Sequence, residues 1–78
     1  MASFSVRVVN EEQEPISGER VVLEFKSILR GMSAEEYTDS DGYAYFDDYD
    51  EGDVEVFVGG KNYGSYYYTD GGSITVTM

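Results

Sequence analysis

A chain of 78 residues with a formal charge of −11 and with neither cysteine nor histidine excludes several classes of protein at once. The charge opposes binding to nucleic acid through phosphate neutralisation, and to anionic membranes likewise; the missing side chains exclude disulfides, the usual zinc sites and nucleophilic triads. At 41% hydrophobic and 15% aromatic the chain is too apolar for disorder, and its length predicts one domain over 1–78, small enough that only about 60% of the unfolded surface can be buried.

The first predicted strand, Ser3 to Val9, places Phe4, Val6 and Val8 on one face, because strand side chains repeat every two residues. It ends in Asn10-Glu11-Glu12-Gln13-Glu14-Pro15, where proline lacks a ladder donor and the carboxylates repel, with Ile16 expected back on the core. The second strand, Glu19 to Lys26, points Val21, Leu23 and Phe25 inward. Ser27 to Ala34 breaks the alternation, and its Ile28, Leu29 and Met32 suit a cap over one end of the core.

Thr38-Asp39-Ser40-Asp41-Gly42-Tyr43-Ala44-Tyr45-Phe46 reads as a strand end, a tight acidic turn and a second strand. The expectation is a hairpin between Glu35–Thr38 and Tyr43–Phe46, with Tyr37 inward opposite Phe46 or Ala44. Asp47 to Asp53 is the most acidic segment and predicts a loop. Val54, Val56 and Val58 alternate in a fifth strand ended by Gly59-Gly60. Lys61 to Ser65 reads as a loop, Tyr66 to Thr69 as a sixth strand, Asp70-Gly71-Gly72 as a hairpin turn, and Ser73 to Met78 as a last strand carrying Ile74, Val76 and Met78 on one side. Short strands at this 8–12-residue spacing, with no convincing helix and no repeat, predict an all-β sandwich.

No apolar run approaches the ~20 residues of a membrane-spanning helix, and a strand starting at about Ser3 leaves no room for a signal peptide. Two settings fit: a complete small cytoplasmic protein, or a module of a longer extracellular or cell-surface one.

Without histidine or cysteine, the remaining candidate catalysts are Asp, Glu, Tyr, Lys and Ser. Paired carboxylates hydrolyse glycosides only with a raised pKa in a cleft, for which so small a sandwich has little room, so neither an enzyme nor a cofactor is expected. Asp39-Ser40-Asp41-Gly42 imitates part of a calcium loop, but the register that fits Gly42 puts Tyr37 where an oxygen ligand belongs. A turn is the better reading. A looser carboxylate site from Asp47, Asp48, Asp50, Glu51 and Asp53 is the alternative, since every charged residue from Glu35 to Glu55 is acidic.

Tyrosine is the stronger lead. Core demand accounts for Tyr37, Tyr49 and either Tyr67 or the Tyr66 and Tyr68 pair, whereas Tyr43, Tyr45 and Phe57 sit at outward positions. Tyr63, Tyr66, Tyr67 and Tyr68 lie among Gly, Ser and Asn, the mixture recognition loops use. The competing account is that aromatics favour strands and pack across pairs. The candidate binding set is therefore Tyr43, Tyr45, Phe57, Tyr63, Tyr66, Tyr67 and Tyr68, with protein or carbohydrate as partner.

Val6-Arg7-Val8-Val9-Asn10, Glu14-Pro15-Ile16-Ser17-Gly18-Glu19-Arg20-Val21, the Thr38 to Phe46 stretch and Gly52-Asp53-Val54-Glu55-Val56 together resemble the carboxypeptidase regulatory-like domains, close in fold to transthyretin and to the B-type repeats of bacterial collagen adhesins. The resemblance implies a seven-stranded, Greek-key, prealbumin-like sandwich used as a non-catalytic module. Adhesin repeats commonly crosslink a first-strand Lys to a last-strand Asn or Asp. Here the first strand offers only Arg7 and Ser73 to Met78 holds neither partner, so no isopeptide bond is expected. Transthyretin-like hydrolases lean on histidine, absent here. A second functional class rests on charge alone: a small acidic inhibitor or decoy that engages a basic, nucleic-acid-handling protein.

Overall fold

Alternation of apolar and polar residues becomes alternation of buried and exposed side chains along seven strands. The computed structural model describes residues 2–26 and 33–78. Its strands are β1 (Ala2–Val9), β2 (Arg20–Phe25), β3 (Ser33–Tyr37), β4 (Tyr43–Tyr49), β5 (Gly52–Val58), β6 (Lys61–Tyr68) and β7 (Gly72–Thr77). They form a three-stranded sheet in the order β4-β1-β7 and a four-stranded sheet in the order β3-β2-β5-β6. Pairing is antiparallel throughout except between β1 and β7, which run parallel.

The inner faces meet in one apolar layer. Phe4, Val6 and Val8 of β1, Val21, Leu23 and Phe25 of β2, Phe46 of β4 and Val54, Val56 and Val58 of β5 are buried there together with Val76, and Ile16 and Ile74 pack against them half-buried. Each such side chain contributes about 1.5–3 kcal/mol through burial. The two ion pairs among the described residues, Arg20 with Glu35 and Lys26 with Glu55, are solvent-exposed surface contacts of small worth. Stability therefore rests on this layer.

Several expectations are corrected. The turn after Thr38 closes as expected, with Gly42 N–H donating to Asp39 O at 3.0 Å and the Asp39 carboxylate accepting from the Asp41 and Tyr43 amides. Yet β3 and β4 belong to different sheets and form no hairpin. Thr38 is the reason. Its backbone amide bonds to Glu19 O, and its buried hydroxyl donates to Ile16 O while accepting from Glu19 N–H, so the chain before the turn is committed to the β2 side. After the turn, Gly42 O accepts from Val8 N–H and commits the chain to β1. Tyr37 consequently lies across from Arg20, 58% exposed, and not in the core.

The acidic stretch 47–53 is mostly strand: β4 continues to Tyr49, past a register shift where Asp48 has φ 68°, and β5 starts at Gly52. Lys61–Ser65 is likewise strand, because Gly59 and Gly60, at φ 59° and 86°, make the two-residue reversal that suits the twist of a hairpin. The turn at residues 70–72 joins β6 to β7 across the two sheets and closes no hairpin. Of the predicted cap, residues 27–32 lie outside the described residues, and Ala34 is buried on β3.

Candidate functional site

Parity along each strand sorts the seven candidate aromatics into four places. Tyr43 and Tyr45 stand on the outer face of the three-stranded sheet, two residues apart on β4. Phe57 and Tyr67 stand on the outer face of the other sheet, on the opposite side of the sandwich, Phe57 half-buried beside Val22 and Tyr67 57% exposed across from Asp53. Tyr63 and Tyr66 both pack against the core although their parity differs, because the β5–β6 register shift at Asn62–Ser65 falls between them. Tyr68 is a correction: at 0% exposure it is a core residue and offers no surface contact. Lys61 to Ser65, read as a loop, is the first part of β6, and alternation along Tyr66, Tyr67 and Tyr68 turns only Tyr67 outward.

The outer face of the three-stranded sheet is where the geometry converges. The Tyr43 and Tyr45 rings stack nearly parallel, 15° apart with centroids at 5.6 Å. Arg7, paired with Tyr43 on the adjacent strand, holds its guanidinium 5.5 Å from the Tyr43 ring centre, a cation–π contact, and bonds through Nε to Asp41 O at 3.4 Å. Tyr45 is 61% exposed beside Ser5, whose hydroxyl donates to Ser73 Oγ at 3.0 Å. Next along the strands, the Ser3 hydroxyl donates to the Asp47 carboxylate at 2.8 Å. Thr75 continues the row from Arg7 onto β7.

Charge is distributed unevenly. Across these three paired strands the charges outside the core are Arg7, Asp47 and Asp48, in a chain with 16 acidic and 5 basic residues. The sheet thus combines a flat aromatic pair with hydroxyls and few charges, its two carboxylates lying at the Asp47–Asp48 end of β4, while the other carboxylates lie on the loops and the other sheet.

One end of the sandwich holds an open depression of about 420 Å³ lined by Ala2, Tyr49, Asp50, Glu51 and Asp70. Glu51 is spent on structure there. The Asp70 backbone amide and the Thr69 hydroxyl donate to its carboxylate and hold its pKa below the ordinary value, tying the β6–β7 corner to the β4–β5 connection. Among the described residues no group of three or more acidic side chains is placed to hold a metal ion. Asp39, the start of the calcium-like motif, serves the turn.

Fold and face together define a small all-β domain of two sheets with one flat surface built around an aromatic pair. No family model and no curated protein matches the chain. Among solved structures it is similar to the Bacillus anthracis TIE protein, with a TM-score of 0.71 at 12% identity over 99% of this chain and 16% of that one. The likeness is one of fold, and the chain spans only a small part of that protein's length.

Proposed function

We propose that this is a non-catalytic binding module that contacts carbohydrate or protein through exposed tyrosines, and that the Tyr43–Tyr45 face is the contact. The observation that carries the reading is the stacked pair itself, held by Arg7 on a rigid central strand and surrounded by serine and threonine hydroxyls. Tyrosine presents apolar area and a polar tip at little entropic cost, which suits both stacking on sugar rings and protein hot spots. Stacking on the ring pair and hydrogen bonding to the hydroxyls beside it require no charge on the ligand, which suits a neutral sugar. The two-sheet, seven-strand arrangement supports the finer proposal of a prealbumin-like, Greek-key relative of the carboxypeptidase regulatory-like domains.

The test is binding to arrayed neutral glycans and to candidate protein partners. Tyr45→Ala is expected to weaken binding about tenfold or more, equivalent to about 1.4 kcal/mol, whereas Tyr67→Ala on the opposite face leaves it unchanged. Equal affinity for wild type and Tyr45→Ala excludes this face. The second reading, an acidic decoy for a basic protein, is favoured by the −11 charge of the chain, most of whose carboxylates lie on the loops and the four-stranded sheet. Salt separates the two: a decoy releases its partner steeply as ionic strength rises, and a tyrosine-anchored complex hardly responds.

A further inference from the structure

The parallel pairing of β1 with β7 gives the two ends of the fold a particular mechanical relation. Both strands run the same way over six registered pairs, Phe4 with Gly72 through Val9 with Thr77. The start of β1 and the end of β7 therefore stand at opposite ends of one ladder. Tension between them slides the strands past each other, so the ladder bonds are loaded together. A hairpin pulled at its open end is different, since its bonds take the load one at a time.

The ladder is latched at both ends. At the start of β1, Ser3 O accepts from Gly71 N–H at 2.9 Å, Ser3 N–H donates to the Asp70 carboxylate at 3.0 Å, and the Tyr68 hydroxyl donates to Ala2 O at 2.5 Å. At the far end Met78 N–H donates to Val9 O at 2.9 Å. β1 is also the central strand of its sheet, paired with β4 along its other edge, and its Phe4, Val6 and Val8 are sunk in the core. Neither strand can leave without breaking the ladder and opening the apolar layer.

We propose that the domain serves a second, mechanical function: the β1–β7 pair is a shear clamp that keeps the fold intact under tension applied between its two ends. Resistance to force is set by the unfolding barrier in the pulled direction and not by equilibrium stability. The clamp is therefore directional, strong from end to end and weak to peeling.

Single-molecule force spectroscopy on the full chain tests this with two attachment geometries. In the first, handles join residue 2 and residue 78. In the second, they join residue 78 and a cysteine introduced by Glu11→Cys, an exposed turn position just past the Val9 end of the ladder in a chain with no cysteine of its own. This second geometry peels β7 from β1. At one loading rate the end-to-end geometry is expected to need at least twice the unfolding force of the peeling geometry, with an unchanged melting temperature for Glu11→Cys showing that both report on the same fold. Equal forces in the two directions overturn the proposal, and so does a lower force end to end.

Discussion

Tyr68→Ala is expected to lower the unfolding free energy by about 4 kcal/mol, within the range for removing a large aromatic from a core, measured as a shift of the urea midpoint. Tyr68 is fully buried near the end of an edge strand, with its ring against Phe4 at 5.1 Å, Phe25 at 5.4 Å and Tyr49 at 6.1 Å. Truncation leaves a cavity that three aromatic neighbours on three other strands cannot all close. It also frees Ala2 O, which the phenol hydroxyl satisfies. Tyr68→Phe isolates that second part and is expected to cost about 1–2 kcal/mol.

The same residue makes stability depend on alkaline pH. Burial pushes the Tyr68 phenol above its ordinary value of 10.0; a bond from the Tyr49 backbone pulls the other way, and Asp47, Tyr49 and Asp48 add to the upward push. With the folded pKa raised, the unfolded chain loses this proton first. The contribution is complete below pH 10.0 and falls as pH rises from there through the folded value. Tyr68→Phe removes this component, so the stability difference between wild type and variant narrows above pH 10.0. A difference that stays constant to higher pH contradicts the assignment.

Gly42→Ala is expected to cost about 3 kcal/mol, more than a positive φ alone explains. Gly42 sits at φ 82°, and a Cβ there would lie 2.6 Å from Val8 O and 3.0 Å from Pro15 Cβ. Val8 O is the acceptor for Ile16 N–H, and Val8 N–H bonds to Gly42 O, so the added carbon wedges apart the site where β1, the β1–β2 connection and the β4 turn meet. Gly60→Ala is the control. It shares the positive φ of 86° but has nothing within 4 Å of the added carbon, and should cost only about 1 kcal/mol for the backbone strain. Similar losses at both positions would mean that crowding at Gly42 is not what holds the corner together.

The candidate face was half legible. Period-two reading placed Tyr43 and Tyr45 outward, since Ala44 and Phe46 on the same strand had to point inward. It could not separate them from Phe57, which is outward by the same rule but on the other side of the sandwich, and it left open whether Tyr67 or its neighbours Tyr66 and Tyr68 point inward. Arg7 drew no attention as a site residue because nothing local marks it; only the β1–β4 register brings it over Tyr43.

The order of apolar and polar residues by itself determined that the chain is all-β, which side of most strands is dry, that the chain turns at Asp39–Gly42 and Asp70–Gly72, and that the fifth strand ends at Gly59–Gly60. These are local matters, settled by side-chain period and by turn chemistry within a few residues. Which sheet each strand joins was decided only in the tertiary structure. A tight turn reverses the chain equally well between partners in one sheet or between two sheets, and the choice lay with distant bonds: Thr38 to Ile16 and Glu19, Gly42 to Val8, Gly71 to Ser3. The parallel contact of the first strand with the last, and the flat tyrosine face beside it, follow from those bonds because hydrogen-bond partners far apart in the chain leave no trace in a window of ten residues.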